Sequence, residues 1–387
     1  MNSRKSRSPK AGAGRPLSFD DIVRIRHEPP TQTQPRAMRE FAGLNGLFFE
    51  RPAGREPPKA GFTPVAAGIA AWALSVSHPY RLGLPLQQRE ILSRARSSGR
   101  THVSAPPLHH PWNARCYHPV PAAFAETVGR NARGERVIPT APDAQIFGTD
   151  DRKPYYPDAY PWLCIGRLES ESGTPMGTGA LVGRNLVLTA RHVVRGNTAA
   201  FKFVPGYYNG QSTLGSAFFS WVKTAEYYEG SDAGAWDFAL LSLYQPLGDQ
   251  LGYFGVRTYD DDWNDLNVWA AAGYPSMAPF NNVTPSYLIG FSIDDTDDDG
   301  DATELDSESQ DSSKGNSGGP VWAVWPDGAY VVGTTSANSE TDFGIFGSSY
   351  WVMNASGKAM VDMIALARLQ VDTDIHVKPP DVRLTGG

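Results

Sequence analysis

Cysteine is nearly absent: Cys116 and Cys164 are the two in 387 residues. That excludes a disulfide-stapled scaffold, and their spacing fits no zinc knuckle. Either one cross-link formed in an oxidising compartment or two free thiols is compatible with the pair. Apolar runs long enough to span a bilayer, about 20 residues, are also missing. The longest, "PVAAGIAAWALSVS" from Pro64 to Ser77, is shorter and reads as a packed helix. The basic opening "MNSRKSRSPKAGAGRP" leads into no apolar core, so it does not read as a secretory signal. Aromatic-interleaved RNA motifs and zinc-finger spacings are lacking too, which argues against a nucleic-acid partner despite the basic N-terminal part.

What is present is an ordinary hydrophobic fraction of 41% and a length beyond one typical domain. Charge is divided unevenly. Residues 1–136 hold 21 Lys+Arg against 9 Asp+Glu, leaving 14 basic and 32 acidic residues for the remainder. Opposite signs let the two parts attract, as a covering pro-region does on its enzyme. The first sixty residues are rich in Arg, Pro and small polar residues, the composition of a largely disordered extension. Within them "SFDDIVRI" reads as a short capped helix, and further on "PLQQREILSRARSS" has helical spacing.

The texture changes after about Val137. Short β-branched and aromatic segments, among them "PWLCIGRLE", "GTGALVGRNLVLTA", "FALLSLY", "PVWAVW" and "AYVVGTT", alternate with Gly, Asn and Asp turns. This spacing predicts an all-β antiparallel sandwich or barrel. One helix follows, "SGKAMVDMIALARLQ", with Ser356 as its N-cap and Met360, Ile364 and Ala367 on one face. The boundaries are therefore an extension or pro-region over 1–136, a folded domain over 137–370 and a loose tail over 371–387.

Chemistry concentrates in "DSSKGNSGGPVW", Asp311–Trp322, where Ser317 stands among glycines. A serine hydroxyl is a weak nucleophile until an imidazole takes its proton and a carboxylate fixes that imidazole's tautomer. Of eight histidines, His192 and His376 lie in the acidic part. His192 directly follows an apolar strand in "LVLTARHVV", whereas His376 is in the tail. Asp237 interrupts the apolar "GAWDFALLSL", and a carboxylate in such a place needs a partner because an unpaired buried charge is costly. Glycines around Ser317 allow a sharp turn in which the N–H groups of Gly315 and Ser317 converge as an oxyanion hole. The same glycines satisfy the G-x-S-x-G nucleophile elbow, but that motif needs a helix after Ser317, and Pro320 with "VWAVW" reads as a strand.

The order His192, Asp237, Ser317, with "LTARHVV", "DFALL" and "GNSGGPVW" around them, resembles the chymotrypsin/trypsin-like serine protease superfamily over roughly residues 146–369. "IFGTDDRKPYYPDAYPW", "PLGDQLGYFGV" and "AAAGYPS" are most similar to its bacterial and fungal glutamyl endopeptidase branch. The resemblance implies two six-stranded antiparallel Greek-key barrels with a C-terminal helix. It also implies a serine endopeptidase acting on protein or peptide substrates through the triad His192, Asp237 and Ser317. A monomer needing no cofactor, secreted as most of the family is, completes the expectation; with no signal visible, the cytoplasm is the alternative. A protease-like fold kept as a binding module is the alternative to an enzyme.

Asn316 precedes the nucleophile where trypsin-like zymogens carry an aspartate that pairs with a newly freed amine. A neutral amide cannot form that ion pair, although "GERVIPT" offers a basic cleavage point after Arg136. By its distance from Ser317, Asp311 takes the place which in trypsin-like enzymes holds the primary-pocket carboxylate that binds substrate Arg or Lys, with membership of the solvated acidic loop before it as the alternative. The histidine typical of glutamyl-specific relatives is missing from "VVGTTSANS", where Thr334 and Thr335 stand. Cleavage after basic residues is therefore the preferred expectation, with cleavage after glutamate as the alternative. Finally, Asp295, Asp297, Asp299, Gly300 and Asp306 follow calcium-loop spacing, so a structural calcium ion is weighed against a solvated acidic surface.

Overall fold

The computed structural model describes residues 14–35, 47–50, 62–64, 71–74, 86–91, 103–119, 122 and 144–373, the last run apart from 198, 217 and 343–347. Two β-systems dominate it. The first comprises β1 (Ile165–Ser170), β2 (Pro175–Leu181), β3 (Leu186–Thr189), β4 (Phe201–Pro205), β5 (Ser220–Tyr228) and β6 (Ala239–Leu243). They pair in the order β4-β1-β2-β3-β6-β5, and β4 pairs with β5 through Lys202↔Trp221 and Phe203↔Ser220 to close the barrel. Strands such as β3 are buried along their whole length, which is why they read as continuous apolar runs rather than alternating ones.

The second system contains β7 (Gly255–Arg257), β8 (Trp269–Gly273), β9 (Ser286–Phe291), β10 (Asp295–Asp299), β11 (Ala302–Ser307), β12 (Pro320–Trp325), β13 (Gly328–Asp342) and β14 (Ser348–Ser356). With Lys153–Pro154 and Ser104–Ala105 it forms one sheet of ten strands, in the path β10-β11-β14-β13-β12-β8-β9 with additions at its edges. This corrects the expectation of two six-stranded barrels: one barrel closes and the other sheet stays open. Its terminal strand β10 carries Asp295, Asp297, Asp298 and Asp299, and these are mostly exposed. A hydrated edge of like charges does not seek a further strand, so the sheet ends there instead of closing.

The helix expected near the C-terminus is present as Lys358–Thr373, with Met360, Val361 and Ile364 fully buried. Ser356 is not its N-cap: it ends β14, and its hydroxyl donates to Val332 O. Arg368 fastens this helix by donating to the carbonyls of Val182 (2.6 Å), Pro106 (2.8 Å) and Phe254 (2.7 Å).

Described parts of the N-terminal extension pack into the body. Ser18 caps the short helix Phe19–Arg24 as expected. Ile22, Ala105 and Tyr117 join the main core, and Trp112 and Asn113 donate to Gln250 O. Two helical expectations give way to strands where they are described, over Ala71–Leu74 and Gln87–Ile91. The latter adds in parallel to β5, and such pairing overrides a local helical pattern. The cleavage point after Arg136, the tail beyond Thr373 and much of the expected disorder in the first sixty residues lie outside the described residues.

Candidate active site

Register brings His192 and Asp237 together. β3 and β6 are antiparallel with Thr189 opposite Ala239, so the residues just beyond the strands, 190–192 and 236–238, run past one another. His192 N donates to Asp237 Oδ1 at 2.9 Å, and its Nδ1 lies 2.7 Å from Asp237 Oδ2. Ser336 Oγ donates to the same Oδ2 at 2.6 Å and itself accepts from Gly234 N at 3.1 Å. The fully buried carboxylate is thus compensated by three donors. Because Nδ1 faces a carboxylate it carries the proton, leaving Nε2 as the acceptor. Burial alone pushes His192 down; the hydrogen bond and charge of Asp237, with Asp232 farther out, outweigh it and lift the imidazole above its ordinary 6.5.

Ser317 stands in a turn that backbone contacts seat against the same barrel edge. Gly315 and Gly318 have φ of +98° and +80°, a region that favours glycine. A Cβ at Gly318 would run into Thr189 Oγ1 and Thr178 O, next to the segment that carries His192. Thr178 anchors the turn from both sides: its N–H donates to Ser317 O at 2.9 Å and its hydroxyl to Gly315 O at 2.7 Å. The N–H groups of Gly315 and Ser317 have no acceptor among the described residues. Nor does Ser317 Oγ hydrogen-bond His192. Directly after the turn, Pro320 opens strand β12, so the helix required by a nucleophile elbow is not there.

Asp311 and Asn316 face a different neighbour. Asp311 accepts from Phe147 N (2.9 Å) on one oxygen and Asp151 N (2.7 Å) on the other. Burial raises its pKa despite those two bonds. Asn316 Oδ1 accepts from Arg152 Nη1 at 2.8 Å. Arg152 and Ser336 were not singled out by sequence reasoning. Arg152 lies in "IFGTDDRKPYYPDAYPW", a segment that resembles the family, and Ser336 in "VVGTTSANS", which departs from it, and nothing in either spacing tells that they reach Asn316 and Asp237.

The calcium-like stretch folds as the hairpin β10–β11, with Asp295 opposite Asp306. Among the described residues no group of three or more His, Cys, Asp or Glu is arranged to hold a metal ion. Both cysteines are free, and burial pushes the Cys164 thiol well up.

Comparison with known proteins places this geometry. The Trypsin family profile matches residues 151–346, just over half of the chain, and spans His192, Asp237 and Ser317. The chain belongs to the trypsin family. No curated protein matches it. Among solved structures, it is similar to one described as a Glu endopeptidase in complex with MPD, at 20% identity and a TM-score of 0.45, covering 58% of this chain and 100% of the other. Another is the protease Anisep from Arthrobacter nicotinovorans, at 20% identity and a TM-score of 0.39, covering 56% of this chain and 98% of the other. Membership of this family implies protein or peptide substrates. Among the described residues no helix is long and apolar enough to cross a membrane.

Proposed function

We propose that the chain is a serine endopeptidase. His192 Nε2 takes the proton of Ser317 as Oγ bonds to the substrate carbonyl carbon. The carbonyl oxygen, now an anion, is received by the N–H groups of Gly315 and Ser317. His192 then gives the proton to the departing amine as the C–N bond breaks, and water repeats the sequence to release the acyl group. Asp237 holds His192 in the required tautomer throughout. The observation that carries this reading is the 2.7 Å contact from His192 Nδ1 to the buried Asp237 carboxylate, beside a turn with two N–H groups that have no acceptor among the described residues. Each such donor contributes roughly 3 to 4 kcal/mol to the transition state in comparable enzymes.

A binding module with a retained protease fold is the second reading, favoured by the missing Ser317–His192 hydrogen bond. Free enzymes often show that contact loose until substrate arrives, so the first reading stands ahead. A fluorophosphonate probe separates the two: labelling lost in Ser317→Ala supports the endopeptidase, and no labelling of the folded wild type supports the module.

Substrate preference turns on Asp311. Binding a cationic side chain needs a free carboxylate, and both Asp311 oxygens hold backbone N–H groups. Arg152, which donates to Ser313 Oγ at 2.8 Å in the same loop, has its charge paired with Asp150. The occupied Asp311 counts against cleavage after Lys or Arg and leaves the glutamate-specific alternative as the reading carried forward. A peptide library tests it, and preferred cleavage after basic residues would contradict it.

A further inference from the structure

One buried cation touches the proposed oxyanion loop from outside. The Arg152 side chain is 1% exposed. Its Nη1 donates to both Asn316 Oδ1 and Ser313 Oγ at 2.8 Å. Nε and Nη2 donate to the two oxygens of Asp150 at 3.0 and 2.8 Å. Nη2 also meets Met277 Sδ at 2.9 Å, and the guanidinium lies 5.5 Å from the Phe280 ring centre. A planar fork engaged on all these sides is a fixed bracket.

What it brackets is the residue between the N–H groups of Gly315 and Ser317. Asn316 N donates to Ser313 O at 2.9 Å, and Asn316 Oδ1 also accepts from Ser313 N at 3.2 Å, so the loop closes on itself with Arg152 at the junction. The chain just before Arg152 is stitched to the same loop. Ala144–Gln145 pairs with Ser312–Ser313, and Phe147 and Asp151 donate to Asp311.

We propose that Arg152 is a positioning residue. Through Asn316 it holds the N–H groups of Gly315 and Ser317 in the orientation that receives the substrate oxyanion. The cation comes from within the uncut chain, so no freed amine is needed, and an amide oxygen at Asn316 is a sufficient acceptor for it. This rests on the endopeptidase reading.

The test measures the inactivation rate constant and half-saturation concentration of a fluorophosphonate probe, with the melting temperature, for wild type, Arg152→Lys, Arg152→Met, Asn316→Ala and the double variant Arg152→Met/Asn316→Ala. Lysine keeps the charge but cannot span Asn316, Ser313 and Asp150 together. The rate constant is expected to fall about a hundredfold in Arg152→Met, the scale of a displacement of about 1 Å at a reacting centre, and by a lesser factor in Arg152→Lys. Half-saturation should stay unchanged. The double variant should be no slower than the worse single, because both act through one contact. Added guanidinium ion should restore part of the Arg152→Met rate where sodium chloride at equal ionic strength does not. A folded Arg152→Lys that reacts at the wild-type rate overturns the proposal, as do multiplying losses in the double variant. If Arg152→Met does not fold, the lysine variant decides alone. A wild-type chain that never labels contradicts the endopeptidase reading first, and this inference falls with it.

Discussion

Replacing Asp237 with asparagine is expected to lower kcat about 10⁴-fold while the chain stays folded, the scale associated with this change in Ser-His-Asp triads. The structure supplies the reason. Asp237 accepts from His192 N at 2.9 Å, from His192 Nδ1 at 2.7 Å and from Ser336 Oγ at 2.6 Å. In the asparagine variant the amide oxygen keeps the bond to His192 N, which turns the NH2 group toward Nδ1 and Ser336. Nδ1 must then accept, so the imidazole proton moves to Nε2, and Nε2 can no longer take the proton of Ser317. The loss equals about 5.5 kcal/mol at 1.36 kcal/mol per tenfold. Stability changes little, since Ser336 Oγ can rotate to accept from the new amide. Single-turnover acylation with an ester substrate, alongside urea unfolding, measures both quantities. A folded variant that loses less than about tenfold would refute the tautomer assignment.

Three further outcomes follow from groups elsewhere in the fold. Activity requires neutral His192, and Asp237 lifts that group above 6.5, so the acid limb of kcat/KM should have its midpoint above 6.5 and move to lower pH in Asp237→Asn; a wild-type midpoint below 6.5 contradicts this. Burial, then the charge of neighbouring Glu304, pushes Asp306 up to about 8. A raised carboxyl contributes stability that is complete below 3.8 and lost as pH rises through about 8, so Asp306→Asn should flatten the fall in Tm across that range. An unaltered Tm profile would argue against the half-buried acidic pair. Arg368→Met removes the donor from the carbonyls of the buried residues Val182 and Phe254 and from the exposed Pro106, and should cost about 2 kcal/mol in urea unfolding, with less than about 1 kcal/mol counting against the clamp.

Legibility in the sequence followed the range of the interactions. β3 and β12 were readable because their residues are apolar along a whole strand, and the terminal helix because Met360 and Ile364 share a face. Asp237 could be matched to His192 because a carboxylate inside an apolar segment announces a partner. Closure was not readable: it depends on Lys202 finding Trp221 in one sheet, and on the aspartates of β10 leaving an edge in the other. The strand at Gln87–Ile91 was hidden for the same reason, since its helical spacing yields to a partner more than a hundred residues away. Asp311 illustrates the limit at the site. Its distance from Ser317 suggested either a pocket floor or a loop charge, and neither reading announced that its carboxylate accepts from the N–H groups of Phe147 and Asp151. Arg152 and Ser336 act across separations of 164 and 99 residues, and no local pattern marks either.

The central claim is that Ser317 is an activated nucleophile. Mass spectrometry of the folded chain after exposure to a fluorophosphonate tests it most directly. A single adduct on the peptide holding Ser317, absent after denaturation and absent in His192→Ala, is the predicted result. An unmodified Ser317 in folded wild-type protein, or an adduct that forms equally well without His192, would contradict it.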